Sequence, residues 1–243
     1  MVFGLFSKER ALQKTIEKAI NKLAQQADRM GALQALSDDS TDEALYGLCK
    51  RFGVTSMKGV EDEYEKTWVG DVLVSKGPVA LPPLVRYMKT ADQLAHPLKV
   101  VERLASHDKA LEIVDEILAS EKPGYVRMPD RRIDLLKWFS EWKGATDDEV
   151  ISRVTPYIVD FDENVRFTAI DGLATKDPAK IAPPLIAALL RPEEESGRIR
   201  RTIVEVLAKT KAPLGDQAKA VAGALTGPLA TDFKVDAGVI KAK

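Results

Sequence analysis

The chain is short of the residues on which most recognisable chemistry is built. Among 243 residues there is one cysteine and there are two histidines. Cys49 alone cannot close a disulfide within the chain, which excludes a disulfide-built secreted scaffold and favours a reducing compartment. With His96 and His107 as the only histidines there is no His/Cys zinc constellation. No P-loop and no Gly-x-Gly-x-x-Gly phosphate cradle is present, and no cofactor is called for. No run approaches the ~18 apolar residues of a membrane-spanning helix. The start, Met1-Val2-Phe3-Gly4-Leu5-Phe6-Ser7-Lys8, lacks the basic region and the ~7–15-residue apolar stretch of a secretory signal, so the expected location is cytoplasmic. An excess of one charge sign is missing too: 36 Lys+Arg stand against 37 Asp+Glu. That balance argues against wholesale binding to nucleic acid or a membrane surface, though it leaves room for a local basic patch. Strand signals are weak, with no alternating apolar segments joined by Asn-Gly or Asp-Gly.

What the chain does have is helical periodicity. At 45% hydrophobic and 30% charged residues it can bury a sizeable core. Its length suits one large domain or two modest ones. Leu12, Ile16, Ala19, Ile20, Leu23 and Ala27 recur at threes and fours and predict one long helix over 8–27. A shorter helix is expected at 30–36. Ser40 or Thr41 can cap a further helix whose Ala44, Leu45, Leu48, Cys49 and Phe52 share a face, with Gly53 placed to end it. Further helices are predicted near 59–75, 78–90, 95–106, 108–120, 129–143, 147–159, 163–175, 178–190, 196–210 and 214–225. From Gly227-Pro228 the periodicity fades into a loose or docked extension.

The strongest signal is a repeat. Ile199, Arg200, Ile203 and Leu207 follow Val165, Arg166, Ala169 and Leu173 at a constant offset of 34. Pro82-Pro83-Leu84-Val85 resembles Pro183-Pro184-Leu185-Ile186 at an offset of 101, and Val100-Val101-Glu102-Arg103-Leu104-Ala105 resembles Ile203-Val204-Glu205-Val206-Leu207-Ala208 at 103. Predicted second-helix starts at Asp62, His96, Asp130, Asp162 and Ser196 are spaced by 34, 34, 32 and 34. A period of this size means stacked supersecondary units, each burying an apolar face against its neighbours. Val165, Ala169, Leu173, Ile199, Ile203 and Leu207 are expected in that core.

Asp160-Phe161-Asp162-Glu163-Asn164-Val165-Arg166, then Ala169 and Leu173, then Asp177-Pro178 and Ile181-Ala182-Pro183-Pro184-Leu185, resemble a HEAT repeat of the bacterial type. The resemblance is most specific over 147–210. It is weaker over 59–145, where His96-Pro97-Leu98 replaces the motif core, and reduces to a helical-hairpin pattern over 1–58. It implies an all-α, α–α superhelix of about 11–13 helices: a single solenoid over 1–226, with 1–58 as N-terminal capping helices and 227–243 as a C-terminal extension. Second helices would line a concave face. The resemblance implies no reaction, since such solenoids are mostly binding scaffolds.

Candidate contact residues follow from that register. Arg132, Arg166 and Arg200 are spaced by 34 and either form an anion-binding stripe or an internal ladder, with Asp160, Asp162 and Glu194 available as partners. Arg131 and Arg198 lie beside them, with Arg127, Lys137, Lys143, Arg201, Lys209 and Lys211 adding a basic excess that acidic neighbours dilute. Trp138 and Trp142 share a helical face, and Trp138 falls at the edge of the apolar arc, where a partner contact competes with simple packing. Cys49 on its apolar stripe reads as a buried structural thiol. Glu61-Asp62-Glu63 with Glu65, and Glu193-Glu194-Glu195, read as helix N-terminal charge or solvated turns. The two histidines do not supply the His-Glu pairing a HEAT-like di-iron hydroxylase needs. By the same resemblance, some HEAT-like solenoids are DNA glycosylases that use Trp and a carboxylate, for which Trp138, Trp142 and Asp134 are the residues at hand. Val2, Phe3, Leu5 and Phe6 form an apolar tip that either caps the first hairpin or dips into a membrane.

The expectation is therefore a non-enzymatic scaffold binding a protein partner through Arg131, Arg132, Trp138, Arg166, Arg198 and Arg200. The alternative is a nucleic-acid-binding solenoid.

Overall fold

A computed structural model describes residues 2–243, with side chains from Ser7 onward. The protein is all-helical apart from one two-stranded sheet near its C-terminus. Among the described residues no helix is long and apolar enough to cross a membrane. The chain divides into two compact units, 1–120 and 121–243, each of which is taken by itself. The side chains of residues 2–6, and with them the expectation of an apolar capping or membrane-contacting tip, lie outside the described residues.

The first unit contains α1 (Val2–Ala19), α2 (Gln26–Asp39), α3 (Asp42–Cys49), α4 (Gly59–Lys76), α5 (Leu81–Met88), α6 (Ala95–Leu104) and α7 (His107–Ser120). α3 packs on α1 and α5, and α4 packs on α2 and α6, so alternate helices line up in two rows. The single helix expected over 8–27 is instead α1, a turn and the start of α2. Asn21 explains the break: its Oδ1 accepts from the Leu23 N–H at 3.0 Å, and its carbonyl accepts from the Ala24 N–H at 3.0 Å. Such a local side-chain bond offers the backbone an alternative to the helix. Leu23 is consequently 79% exposed rather than part of the stripe. α3 starts as expected, with the Ala44 N–H donating to Thr41 Oγ1. Ala44, Leu45, Leu48, Cys49 and Phe52 are all buried.

The second unit contains α8 (Asp130–Glu141), α9 (Asp147–Val154), α10 (Glu163–Leu173), α11 (Pro178–Leu190), α12 (Gly197–Thr210), α13 (Ala218–Ala224), α14 (Pro228–Asp232), β1 (Phe233–Asp236) and β2 (Val239–Ala242). α10 lies between α8 and α12. α11 packs on α12, on α13 and on the 3-10 turn that extends α9. Side-chain caps set the register: Asp162 accepts from the N–H groups of Asn164 and Val165, and Ser196 accepts from that of Ile199. The result is that Val165, Ala169, Leu173, Ile199, Ile203 and Leu207 are all fully buried, as the offset of 34 predicts.

The segment after Gly227 is a docked structure. It forms α14 and an antiparallel hairpin pairing Phe233 with Ala242 and Asp236 with Val239. β2 lies against α12 and β1 against α13. Strand signals were missed because the turn is Ala237-Gly238, both at positive φ (51° and 77°). Two-residue turns of this kind are normally announced by Asn-Gly or Asp-Gly. Phe233 and Ile240 are buried where the hairpin meets the helices.

Candidate functional site

The three arginines spaced by 34 occupy matching places on α8, α10 and α12, and the structure turns their guanidiniums into the chain. Arg132, 1% exposed, donates to Asp160 Oδ2 at 2.6 Å and to the carbonyls of Gly124 and Lys122 at 3.0 and 2.7 Å. Arg166 pairs with Glu194 at 2.8 Å and donates to the carbonyls of Asp160 and Phe161. The two acids repeat as faithfully as the two arginines. Asp160 accepts from the Asp162 N–H at 2.9 Å, and Glu194 accepts from the Ser196 N–H at 3.1 Å. Each guanidinium thus ties its own preceding loop to an acid 28 residues further on. For Arg200 that position is Pro228, and no acid is available. Its guanidinium donates instead to the carbonyls of Leu189 and Ala224, in the last turns of α11 and α13, where a cation also meets the negative end of the helix dipole. Of the two readings open from the sequence, the internal ladder describes these contacts. The free anion stripe does not.

The remaining expected residues separate. Arg131 is buried and pairs with Glu121 at 2.8 Å. Trp138 is half-buried and stacks on Trp142, ring centroids 5.4 Å apart and planes 13° apart. Arg198 is exposed, lies 4.1 Å over the Phe167 ring, and donates to Asn164 Oδ1 at 2.9 Å. Asp134 of α8 is half-buried.

Beside Phe167 the row α8–α10–α12 carries a groove of about 510 Å³, lined by Ile133, Lys137, Ser140 and Glu141 of α8, by Phe167, Thr168, Asp171 and Gly172 of α10 with Ala174 and Thr175 just beyond it, and by Lys209 of α12. Gly172 lets α8 pack closely on α10 at Ser140. A Cβ there would lie 2.8 Å from Ser140 Cβ, a distance real atoms do not adopt. Of the six expected contact residues, Arg198 borders this groove through Phe167, and none of the six lines it. Sequence reasoning had Lys137 and Lys209 only as members of a basic patch. The groove itself depends on which helices become neighbours.

A second charged constellation lies in the first unit. The run with Asp62 and Glu65 reads from the sequence as helix N-terminal charge or solvated turns; Asp62 does sit in the first turn of α4, but Asp62 and Glu65 are both buried rather than solvated. Glu65 receives Arg29 Nη2 at 2.7 Å and Arg51 Nε at 2.7 Å. Asp62 receives Arg51 Nη2 at 2.7 Å, pairs with Lys66 at 2.7 Å, and accepts from the Ser56 N–H. Burial by itself would raise the Asp62 carboxyl; Lys66, Arg51 and the Ser56 N–H overcome it and hold the group well below the usual carboxylate range. Arg29 also donates to the Ala24 carbonyl, five residues back, as Arg166 does to Phe161. Arg29 precedes Arg132 by 103 residues, the offset that relates Val100 to Ile203. The signal was in the sequence; the acids that bury with it were not spaced like those of the second unit.

Cys49 is buried and burial pushes its thiol far up, away from nucleophilic use. His96 stacks on Phe52, and its burial lowers its proton affinity against the opposing pull of Glu63. Among the described residues no group of three His, Cys, Asp or Glu side chains is placed to hold a metal ion. Comparisons with family models, with curated proteins and with solved structures gave no match for the chain.

Proposed function

We propose that the protein is a non-enzymatic, HEAT-like helical-repeat scaffold of the cytoplasm that binds a protein partner on the face formed by α8, α10 and α12. The observation that carries this reading is the repeated Arg–acid pairing, Arg132 with Asp160 and Arg166 with Glu194. Repeated inter-unit pairs of this kind hold consecutive helices in one register, the arrangement a repeat scaffold needs. With the ladder arginines engaged, the charge facing outward along the groove is balanced: Lys137 and Lys209 against Glu141 and Asp171. A phosphate backbone needs a net positive track, because its affinity comes largely from released counterions. The balance therefore favours a protein partner over nucleic acid, and it weighs against glycosylase chemistry at Trp138, Trp142 and Asp134.

The test is capture of partners by the full chain, compared with the same chain carrying Lys137→Glu and Lys209→Glu. Both positions are exposed, so the fold is expected to persist. A specific protein retained by the wild type and lost from the double variant supports the proposal. Salt-sensitive binding of duplex DNA or RNA at physiological ionic strength, without a protein partner, refutes it.

A further inference from the structure

We infer that the end of the first unit formed by the loops before α2 and before α4 inserts into the interface of an anionic lipid bilayer. The inference concerns the first unit alone and does not depend on a partner bound at α8, α10 and α12.

Three observations combine. First, this end carries the most exposed large apolar side chains among the described residues: Met57 at 91%, Val60 at 88% and Leu23 at 79%. Tyr64, one turn along α4 from Val60, is exposed as well. Exposed apolar residues scattered singly are ordinary, whereas a cluster of them marks an interaction surface. Leu23 and Met57 come from loops far apart in sequence, yet they line one cleft of about 240 Å³, with Lys22 and Lys58 beside them.

Second, buried groups hold the two loops in place. The Leu23 N–H donates to Asn21 Oδ1, and Arg29 donates to the Ala24 carbonyl next to it. On the other loop, Arg51 Nη1 donates to the Val54 carbonyl at 2.7 Å, and the Ser56 N–H and hydroxyl both donate to Asp62 Oδ1, at 2.9 and 3.2 Å. Arg29 and Arg51 meet on Glu65, each at 2.7 Å. One buried network thus ties down both loops. Leu23 and Met57 are turned outward on fixed backbone, which leaves little to order when they are covered.

Third, charge and composition select the occupant. The acids nearest the tips are engaged: Glu61 by both Lys58 and Arg29, Asp28 by Lys18, and Glu63 by His96. Lys22 has no ion-pair partner among the described residues. The charge beside the apolar tips is therefore net positive and complements an anionic surface. Lysine is depleted in protein interfaces, and Leu and Val are under-represented among their hot spots. At a bilayer the same set is favourable. The aliphatic tips enter the acyl boundary, the lysine stems lie along them with their ammonium groups among the headgroups, and Tyr64 sits at headgroup level.

The experiment uses the full chain, residues 2–6 included, with vesicles of mixed phosphatidylcholine and phosphatidylserine and with vesicles of phosphatidylcholine alone. An environment-sensitive nitrobenzoxadiazole label is placed through Met57→Cys or, as a control, through Val79→Cys; Cys49 is buried and stays unlabelled. Val79 is also exposed but lies beyond the far end of α4, an 18-residue helix about 27 Å long. The label at position 57 is expected to brighten and shift to the blue on the mixed vesicles, less so on phosphatidylcholine alone or at high salt, and the label at position 79 is expected to stay unchanged. In vesicle sedimentation, Leu23→Ser/Val60→Ser is expected to lower affinity about tenfold or more. Lys22→Glu/Lys58→Glu is expected to remove the preference for phosphatidylserine. All four positions are exposed, so circular-dichroism melts are expected to match the wild type. No binding to either vesicle, an equal shift at positions 57 and 79, or unchanged affinity of the Leu23→Ser/Val60→Ser protein overturns the inference. So does a protein that occupies this end without lipid and is lost from the same double variant. Each of these failures leaves the scaffold reading standing, because Lys137 and Lys209 are untouched in every variant.

Discussion

Replacing Arg132 by Met tests whether the arginine ladder holds the second unit together. Arg132 is 1% exposed, and the Asp160 side chain it meets at 2.6 Å is 0% exposed. Removing one partner of a buried pair costs about 3–5 kcal/mol, because the remaining charge stays buried without compensation. Asp160 keeps the N–H groups of Gly124 and Asp162, which moderates that loss. The carbonyls of Lys122 and Gly124 also lose their donor, at about 1 kcal/mol each. These add to about 5–7 kcal/mol before the moderation by the two N–H groups. Asp160→Asn alone leaves a buried guanidinium facing a neutral amide and also destabilises. The double variant Arg132→Met/Asp160→Asn leaves neither charge exposed to the other's absence, so it is expected to cost clearly less than the two single changes added together. Urea unfolding of all four proteins, followed by far-UV circular dichroism, gives the coupling energy directly. A loss below about 1 kcal/mol for Arg132→Met, or a coupling energy near zero, would refute the ladder as a structural device.

Three further outcomes follow from packing and charge. Leu173, fully buried between α10 and its neighbours, is expected to cost ~2–5 kcal/mol when replaced by Ala, and a loss near zero in the same urea assay would mean that the register of α10 is wrong. Gly172→Ala is expected to destabilise by about 1–3 kcal/mol through overpacking on Ser140, with part of the loss recovered when Ser140→Gly accompanies it; calorimetric melts of the single and double variants check this. Asp62 is held below its unfolded value near ~3.9 by Lys66, Arg51 and Ser56. In that window the unfolded chain binds more protons than the native one, so the Asp62 contribution is complete above about pH 4 and is lost as pH falls through the native value. Thermal melts from neutral pH downward should show Asp62→Asn flattening the acid limb of the profile. An identical acid limb in wild type and variant would contradict the assignment.

How far the sequence carried this reading differs from element to element. α4, α7, α11 and α12 are regular because their apolar residues keep helical spacing, and their ends differ from expectation by one residue at each terminus at most. The failure at 20–25 has a local cause: Asn21 closes a turn inside an otherwise continuous apolar stripe. The hairpin at the C-terminus is different. Its Ala237-Gly238 turn lacks the usual Asn or Asp, and four-residue strands become worth forming only when Phe233 and Ile240 have α12 and α13 to bury against. Acidic runs were the hardest to read. Composition gives Glu61, Asp62, Glu63 and Glu65 the same face value, but Arg29 and Arg51 arrive from elements distant in sequence and make Asp62 and Glu65 interior.

The sequence by itself determined that the protein is helical, which residues form the core of α10 and α12, and that arginines recur every 34 residues in its second half. These follow from short-range periodicity and from self-similarity, both of which a single chain displays. Tertiary structure alone decided where the charge goes. The same near-neutral total is compatible with an exposed basic stripe or an internal ladder, because a guanidinium's fate depends on which acid lies across the neighbouring helix. Packing placed Asp160 and Glu194 within reach of Arg132 and Arg166, and left Lys137, Glu141, Asp171 and Lys209 facing an open groove.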